Sequence, residues 1–271
     1  MTRFILVFFL LLSWSCYAQE PVQDTDCESC AQVEESAQSV EQWEQAQNFL
    51  RQHRFEEAED IANRVLDEDP MNVAALRVVT KSALGLGRLA DAQTYLDRLF
   101  SLDQKNPENS ALQGLVCLYR GEMKSSVEHL ERALVLGKDI QSSTQLALYA
   151  NTLVLAYYRD GRSKEALASC EKFLQDYPED PGLYLTASRL YREDKNFASA
   201  LEVAEKGLKV DPNFYTLHAS VALAQLGLGN KTFSEEAYLR LKAADPELAK
   251  DLRATLDGTR ADTAEYKLQV E

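Results

Sequence analysis

The stretches Ser163-Lys164-Glu165-Ala166, closed by Tyr177-Pro178, and Phe197-Ala198-Ser199-Ala200, closed by Asp211-Pro212, are two copies of one pattern. In each the alanine precedes the proline by 12 residues, and Phe55-Glu56-Glu57-Ala58 with Asp69-Pro70 is a third copy. Pro178, Pro212 and Pro246 are spaced by 34 residues, and steps of 34 from Pro70 reach Gln104 and Lys138, each at the end of a helical pattern. A fixed period of this length marks a chain built from one repeated supersecondary unit. With the proline at position 32, the units run 39–72, 73–106, 107–140, 147–180, 181–214 and 215–248. Only residues 141–146 fall outside. Because the phase holds on both sides, they lengthen either one loop between units or the start of a helix.

The recurring residues suit two packed antiparallel helices. Position 8 is mostly small, with Ala46, Thr80, Gly114, Val154, Ser188 and Ala222, and position 20 answers it with Ala58, Ala92, Ser126, Ala166, Ala200 and Ser234. Small side chains at both places let two helices approach, and a larger one would overpack by about 1–3 kcal/mol. Position 15 carries Gly87, Gly121, Gly161 and Gly229, suited to a left-handed residue that ends the first helix. His53 and Lys195 break that pattern, which predicts tighter or less regular turns there. The prolines at position 32 stop a helix between units.

Six units in near-constant phase resemble the tetratricopeptide repeat superfamily over about residues 39–248. The resemblance implies an all-α fold, an α-α superhelix of six helix-turn-helix repeats with the first helices lining the concave side. Three repeats would occupy 39–140 and three 147–248, separated by the insertion at 141–146. The stretch Glu247–Leu256 looks like a helix that covers the apolar face of the last repeat, as a terminal unit requires. Capping helix and polar tail together make up 249–271.

In this family ligand-facing residues lie on the first helix, at positions 2, 5, 9, 12 and 13, where three- and four-residue spacing shares one face. Carried onto this chain, they give Trp43, Gln47, Arg77, Lys81, Leu115, Leu118, Tyr119, Asn151, Leu155, Tyr158, Arg159, Leu185, Arg189, Arg192, Ala219 and Leu223. The expected groove residues are Arg77, Lys81, Tyr119, Asn151, Tyr158, Arg159, Arg189 and Arg192. Five are basic, against the single acid Glu193, and one sign of charge steers an acidic or carboxylate-terminated partner segment. Asn151 could hold a peptide backbone, and the apolar members could form pockets. Arg77 and Lys81 resemble half of a carboxylate clamp, but Trp43 and Gln47 stand where the other half would need Lys and Asn. Chaperone-tail recognition is therefore not expected. Exposed Arg and Lys are also common as solvated side chains, and the apolar members as packing between repeats.

The chain starts Met1-Thr2-Arg3, followed by nine apolar residues, Phe4 to Leu12. That is the layout of a secretory signal peptide (1–18) cleaved after Ala18, and the run is shorter than the roughly 20 apolar residues a membrane span needs. A rival reading makes Cys16 a lipidated N-terminus, though Trp14 fits that processing badly. Export points to the periplasm of a Gram-negative bacterium. Residues 19–38 are a polar, acidic linker. With 43 Asp and Glu against 29 Lys and Arg, the chain lacks the basic balance that nucleic acid and anionic membranes select.

Nothing assembles an active site. His53, His129 and His218 fall at unrelated repeat positions, and no zinc-protease helix, phosphate loop or nucleophile elbow occurs. No cofactor or metal is expected. Cys27-Glu28-Ser29-Cys30 has the spacing of a redox dithiol or of half a zinc site. Its acidic neighbours disfavour a thiolate, so a structural or intermolecular disulfide is the simpler reading. Cys117 and Cys170 occupy positions 11 and 24, where core residues belong. The expected function is a non-enzymatic protein-interaction scaffold of the cell envelope. The alternatives are a type IV pilus or secretion assembly factor, and a redox accessory protein using Cys27 and Cys30.

Overall fold

The computed structural model describes residues 42–139 and 141–257. The expected signal peptide, the Cys16 lipid site, the linker, the Cys27–Cys30 pair and the tail after 257 lie outside the described residues. The compact unit that begins at Trp43 is all-helical among its described residues. Six antiparallel pairs follow one another. They are α1 (residues 42–51) with α2 (Phe55–Glu68), α3 (Val73–Gly85) with α4 (Leu89–Leu102), α5 (Pro107–Arg120) with α6 (Met123–Gly137), α7 (Ser143–Arg159) with α8 (Ser163–Asp176), α9 (Pro181–Glu193) with α10 (Phe197–Val210), and α11 (Tyr215–Gly227) with α12 (Lys231–Ala244). A final helix, α13 (Pro246–Leu256), packs on α12 and α11. This is the expected α-α solenoid.

The two helices of a pair have different burial patterns, and the difference defines the faces of the array. The second helices bury one stripe each, as in Ala92, Leu96 and Leu99 of α4 or Ala58, Ile61, Ala62 and Leu66 of α2. Such i, i+3, i+4 spacing is that of an amphipathic surface helix, and each fully buried leucine contributes about 1.5–3 kcal/mol. The first helices are buried more broadly, since α3, α5 and α7 pack against two second helices and against each other. Successive first helices touch from α3 to α11, whereas no two second helices do among the described residues. The first helices therefore form a continuous inner face.

Positions 8 and 20 meet as expected and are buried in all six pairs. In two of the pairs a serine hydroxyl spans the contact. Ser126 Oγ donates to the Gly114 carbonyl at 2.8 Å, and Ser188 Oγ donates to the Ala200 carbonyl at 2.9 Å.

All six turns inside the pairs share one hydrogen-bond scheme. The amide just after the left-handed residue donates five residues back, as in Arg88 N–H to the Ala83 carbonyl (2.7 Å), Arg54 to Phe49 (2.9 Å) and Asn196 to Tyr191 (2.8 Å). This is the Schellman closure, which needs a left-handed residue just past the cap. Gly87, Gly121, Gly161 and Gly229 supply it, and so do His53 at φ 57° and Lys195 at φ 59°. The expectation of irregular turns at His53 and Lys195 is therefore corrected: the backbone is the same, and two side chains tolerate the strained region.

Between pairs, Asn72, Asn106, Ser142 and Asp180 cap the next first helix through their side chains. The carbonyl at position 32 is bound in two different ways. Arg98 and Arg132 reach back from second helices to the Pro70 and Gln104 carbonyls. Further on, Tyr184 Oη donates to the Pro178 carbonyl at 3.1 Å, and His218 Nε2 lies 3.1 Å from that of Pro212. The residues at 141–146 lengthen the start of a helix, since Ser142 caps α7 and Leu146 is buried in the core.

Candidate binding face

Arg77 and Lys81 stand one turn apart on α3 and project from the inner face. Both are held by Glu108 in the first turn of α5, with Arg77 Nε 3.1 Å from Oε2 and Lys81 Nζ 3.0 Å from Oε1. Pro107 and the Asn106 cap start α5 at this point, so the carboxylate also sits at the favourable end of the helix dipole. All three side chains are partly buried. The ion pair is close, yet Arg77 Nε–H is not aligned for a hydrogen bond. Behind it lies Tyr149 of α7, 3% exposed, whose hydroxyl has no well-directed partner. Burial, and then the Glu108 charge, push its ionisation far up.

The face changes character across α5, α7 and α9. Leu115, Leu155 and Leu185 are half-buried there. Tyr119, 38% exposed, stands near enough to Arg159 to feel its charge, although burial still pushes the phenol up. Asn151 is fixed: its carbonyl oxygen accepts from Thr186 Oγ1 at 2.6 Å, and its amide lies against Gly182, where an added Cβ would be 3.4 Å from Nδ2. Arg189 pairs with Glu193 (3.1 Å) and lies 5.5 Å from the Tyr158 ring centroid. The Tyr158 phenol is pushed up by its hydrogen bond to Glu193 and then by burial.

The structure places the expected groove residues unevenly. Tyr119, Asn151, Tyr158, Arg159 and Arg189 come together on adjacent first helices. Arg77 and Lys81 form a separate cluster. Arg192 is 5% exposed and belongs to the packing, as do Leu118, Ala219 and Leu223; its expected role as a steering charge is corrected accordingly. Three of the other basic residues are neutralised by Glu108 and Glu193, which softens the charge contrast expected of this face. Position 13 adds a further restriction. In units two and six it is Gly85 and Gly227, whose added Cβ atoms would meet the rings of Phe55 and Phe197 at 2.5 and 2.2 Å. In units three to five it is Tyr119, Arg159 and Glu193, all exposed. Sequence reasoning passed over Glu108 and Tyr149. Glu108 occupies position 2, a ligand-facing place, and that was the available signal; Tyr149 offered none.

Cys117 and Cys170 are buried, and burial pushes both thiols up, Cys170 to about 12. A small buried hydrophobe is the role both play. Among the described residues no three His, Cys, Asp or Glu side chains gather as a metal site, and no helix is long and apolar enough to cross a membrane.

A family model described as Tetratricopeptide repeat matches residues 42–116 and 157–226, more than half of the chain. A curated relative, the DnaJ homolog subfamily C member 7 homolog of Dictyostelium discoideum, is 21% identical over 194 residues, covering 68% of this chain and 36% of its own. The chain thus spans about a third of that relative. The crystal structure of PilW, a widely conserved type IV pilus biogenesis factor, is similar with a TM-score of 0.65 and 18% identity over 80% of this chain and 98% of PilW. PilF of Pseudomonas aeruginosa gives 0.59 and 13% over 80% and 96%. The PilW and PilF likenesses show a shared fold. On the family model and on six closed helix pairs in phase, this chain belongs to the tetratricopeptide repeat family.

Proposed function

We propose that the chain is a protein-interaction scaffold that holds a partner segment against the inner face of repeats three to five. The observation that carries this is the clustering of Tyr119, Asn151, Tyr158, Arg159 and Arg189 over half-buried leucines on three adjacent first helices. Fixed amide and aromatic groups over an apolar floor suit an extended segment, with its backbone met by Asn151 and its side chains by the leucines and tyrosines. An acidic residue in the partner would be read by Arg159. Catalysis forms no part of this reading.

A second reading narrows the setting to envelope assembly, including that of type IV pili. What supports it is the export-type start together with a repeat array that spans nearly all of PilW and PilF. Affinity capture by the full exported chain from envelope extracts, read by mass spectrometry, tests both. Tyr119→Ala/Arg159→Glu should lose the captured partners, and Glu202→Lys on the outer helix α10 should keep them. Undiminished capture by the first variant would overturn the groove reading. Pilus components among the lost partners would support the narrower one.

A further inference from the structure

The cluster at the α3–α5 step stands apart from the face just described. Two cations on one turn of α3 converge on a single carboxylate from the next repeat, at 3.0 and 3.1 Å, and all three groups are partly buried. A free carboxylate arriving from a partner would need those same donors. Glu108 already occupies them, tethered in place by the helix start that Asn106 and Pro107 define. A tethered group competes at high effective concentration, without the translational cost that a partner bears. The locality therefore has a strong appetite for an acceptor oxygen, met from within.

We propose that Glu108 is a specificity residue: an internal carboxylate that closes the α3–α5 end of the inner face to acidic segments, so that the partner segment is uncharged where it crosses this point. This deepens the scaffold reading and rests on it for the claim that partners lie on this face. Exclusion by a pre-paired charge is a recognised route to selectivity, because an intruding acid would face both the occupied donors and the repulsion of Glu108. In this arrangement Arg77 and Lys81, counted by residue type as anion readers, are withdrawn from that role. Acid recognition is confined to the Arg159 end.

The test is direct binding of fluorescein-labelled hexaglutamate to the full chain, followed by anisotropy at low ionic strength, where surface charge is least screened. Glu108→Gln should bind at least tenfold tighter than the native chain, and Glu108→Gln/Lys81→Gln should return to the native value. Glu236→Gln on α12 makes the same change in net charge away from the cluster and should leave binding unchanged. In the otherwise native chain, Lys81→Gln should also have no effect, because Glu108 already blocks the site; this arm needs no loss of Glu108 and stands if Glu108→Gln folds poorly by circular dichroism. The proposal is overturned if Glu108→Gln gains nothing, if Glu236→Gln gains as much, or if Lys81→Gln alone weakens binding. These results are independent of partner capture by Tyr119→Ala/Arg159→Glu, so either reading can fail alone.

Discussion

Gly207→Ala should destabilise the protein although alanine is the better helix former. Gly207 is buried in the body of α10. A Cβ added there would stand 2.6 Å from Tyr184 Cβ and 2.7 Å from Leu217 Cδ1, where ordinary contact begins at 3.4 Å. Leu217 can rotate away, but Tyr184 Cβ is fixed to the backbone of α9. The helices must separate by most of an ångström to admit the methyl group. Overpacking of this kind costs about 1–3 kcal/mol, against a gain of about 1 kcal/mol in helix propensity. With two contacts under 3.0 Å, one to a fixed atom, the cost lies in the upper half of that range, so the net loss should be about 1–2 kcal/mol, readable as a lower urea midpoint with an unchanged slope. In a Tyr184→Gly background the opposing Cβ is gone, and the same substitution should become neutral or stabilising. If Gly207→Ala proves as stable as the native chain, the close approach of α9 and α10 described above is wrong.

Two further predictions concern stability. Replacing His53 or Lys195 by glycine relieves a left-handed backbone at φ 57° and 59° and should stabilise by about 0.5–1 kcal/mol each; calorimetric melts showing no gain at either site would contradict the shared turn geometry. At high pH, Tyr157 and Tyr191 should weaken the fold as they ionise. Burial and a 2.6 Å hydrogen bond to Glu131 push Tyr157 up to about 12, and a hydrogen bond to Glu171, then burial, does the same for Tyr191. Both protons are held more tightly folded than unfolded, where a phenol loses its proton near pH 10. Their stabilisation is thus complete below about pH 10 and is lost as the pH rises towards 12. Unfolding free energies from pH 8 to 12 should fall more steeply for the native chain than for Glu131→Gln/Glu171→Gln, and equal slopes would count against this account.

What could be read from sequence was whatever must recur in every unit. Ala58, Ala92, Ala166 and Ala200 recur because two helix backbones meet there each time, and that constraint is local to one pair. The face was less legible because it is made between units. Nothing in Arg77 or Lys81 announces that Glu108, in the next repeat, closes on both. Arg192 occupies a position that can face solvent, and its burial depends on how neighbouring pairs pack. The turns at His53 and Lys195 were misread for a related reason. Glycine makes a left-handed residue easy, but the hydrogen bonds closing the turn enforce it with or without glycine.

The two ways of tying down the position-32 carbonyl bear on modularity. In the first half of the array the tie is a guanidinium reaching back from a second helix; in the second half it is a phenol or imidazole on a first helix. In all four the donor belongs to the following unit and the acceptor is a backbone carbonyl of the unit before it. A unit spliced from one half into the other would therefore bring its own tie and find its acceptor waiting. Added salt, which weakens a charged tie more than a neutral one, should loosen the joints of the first half before those of the second.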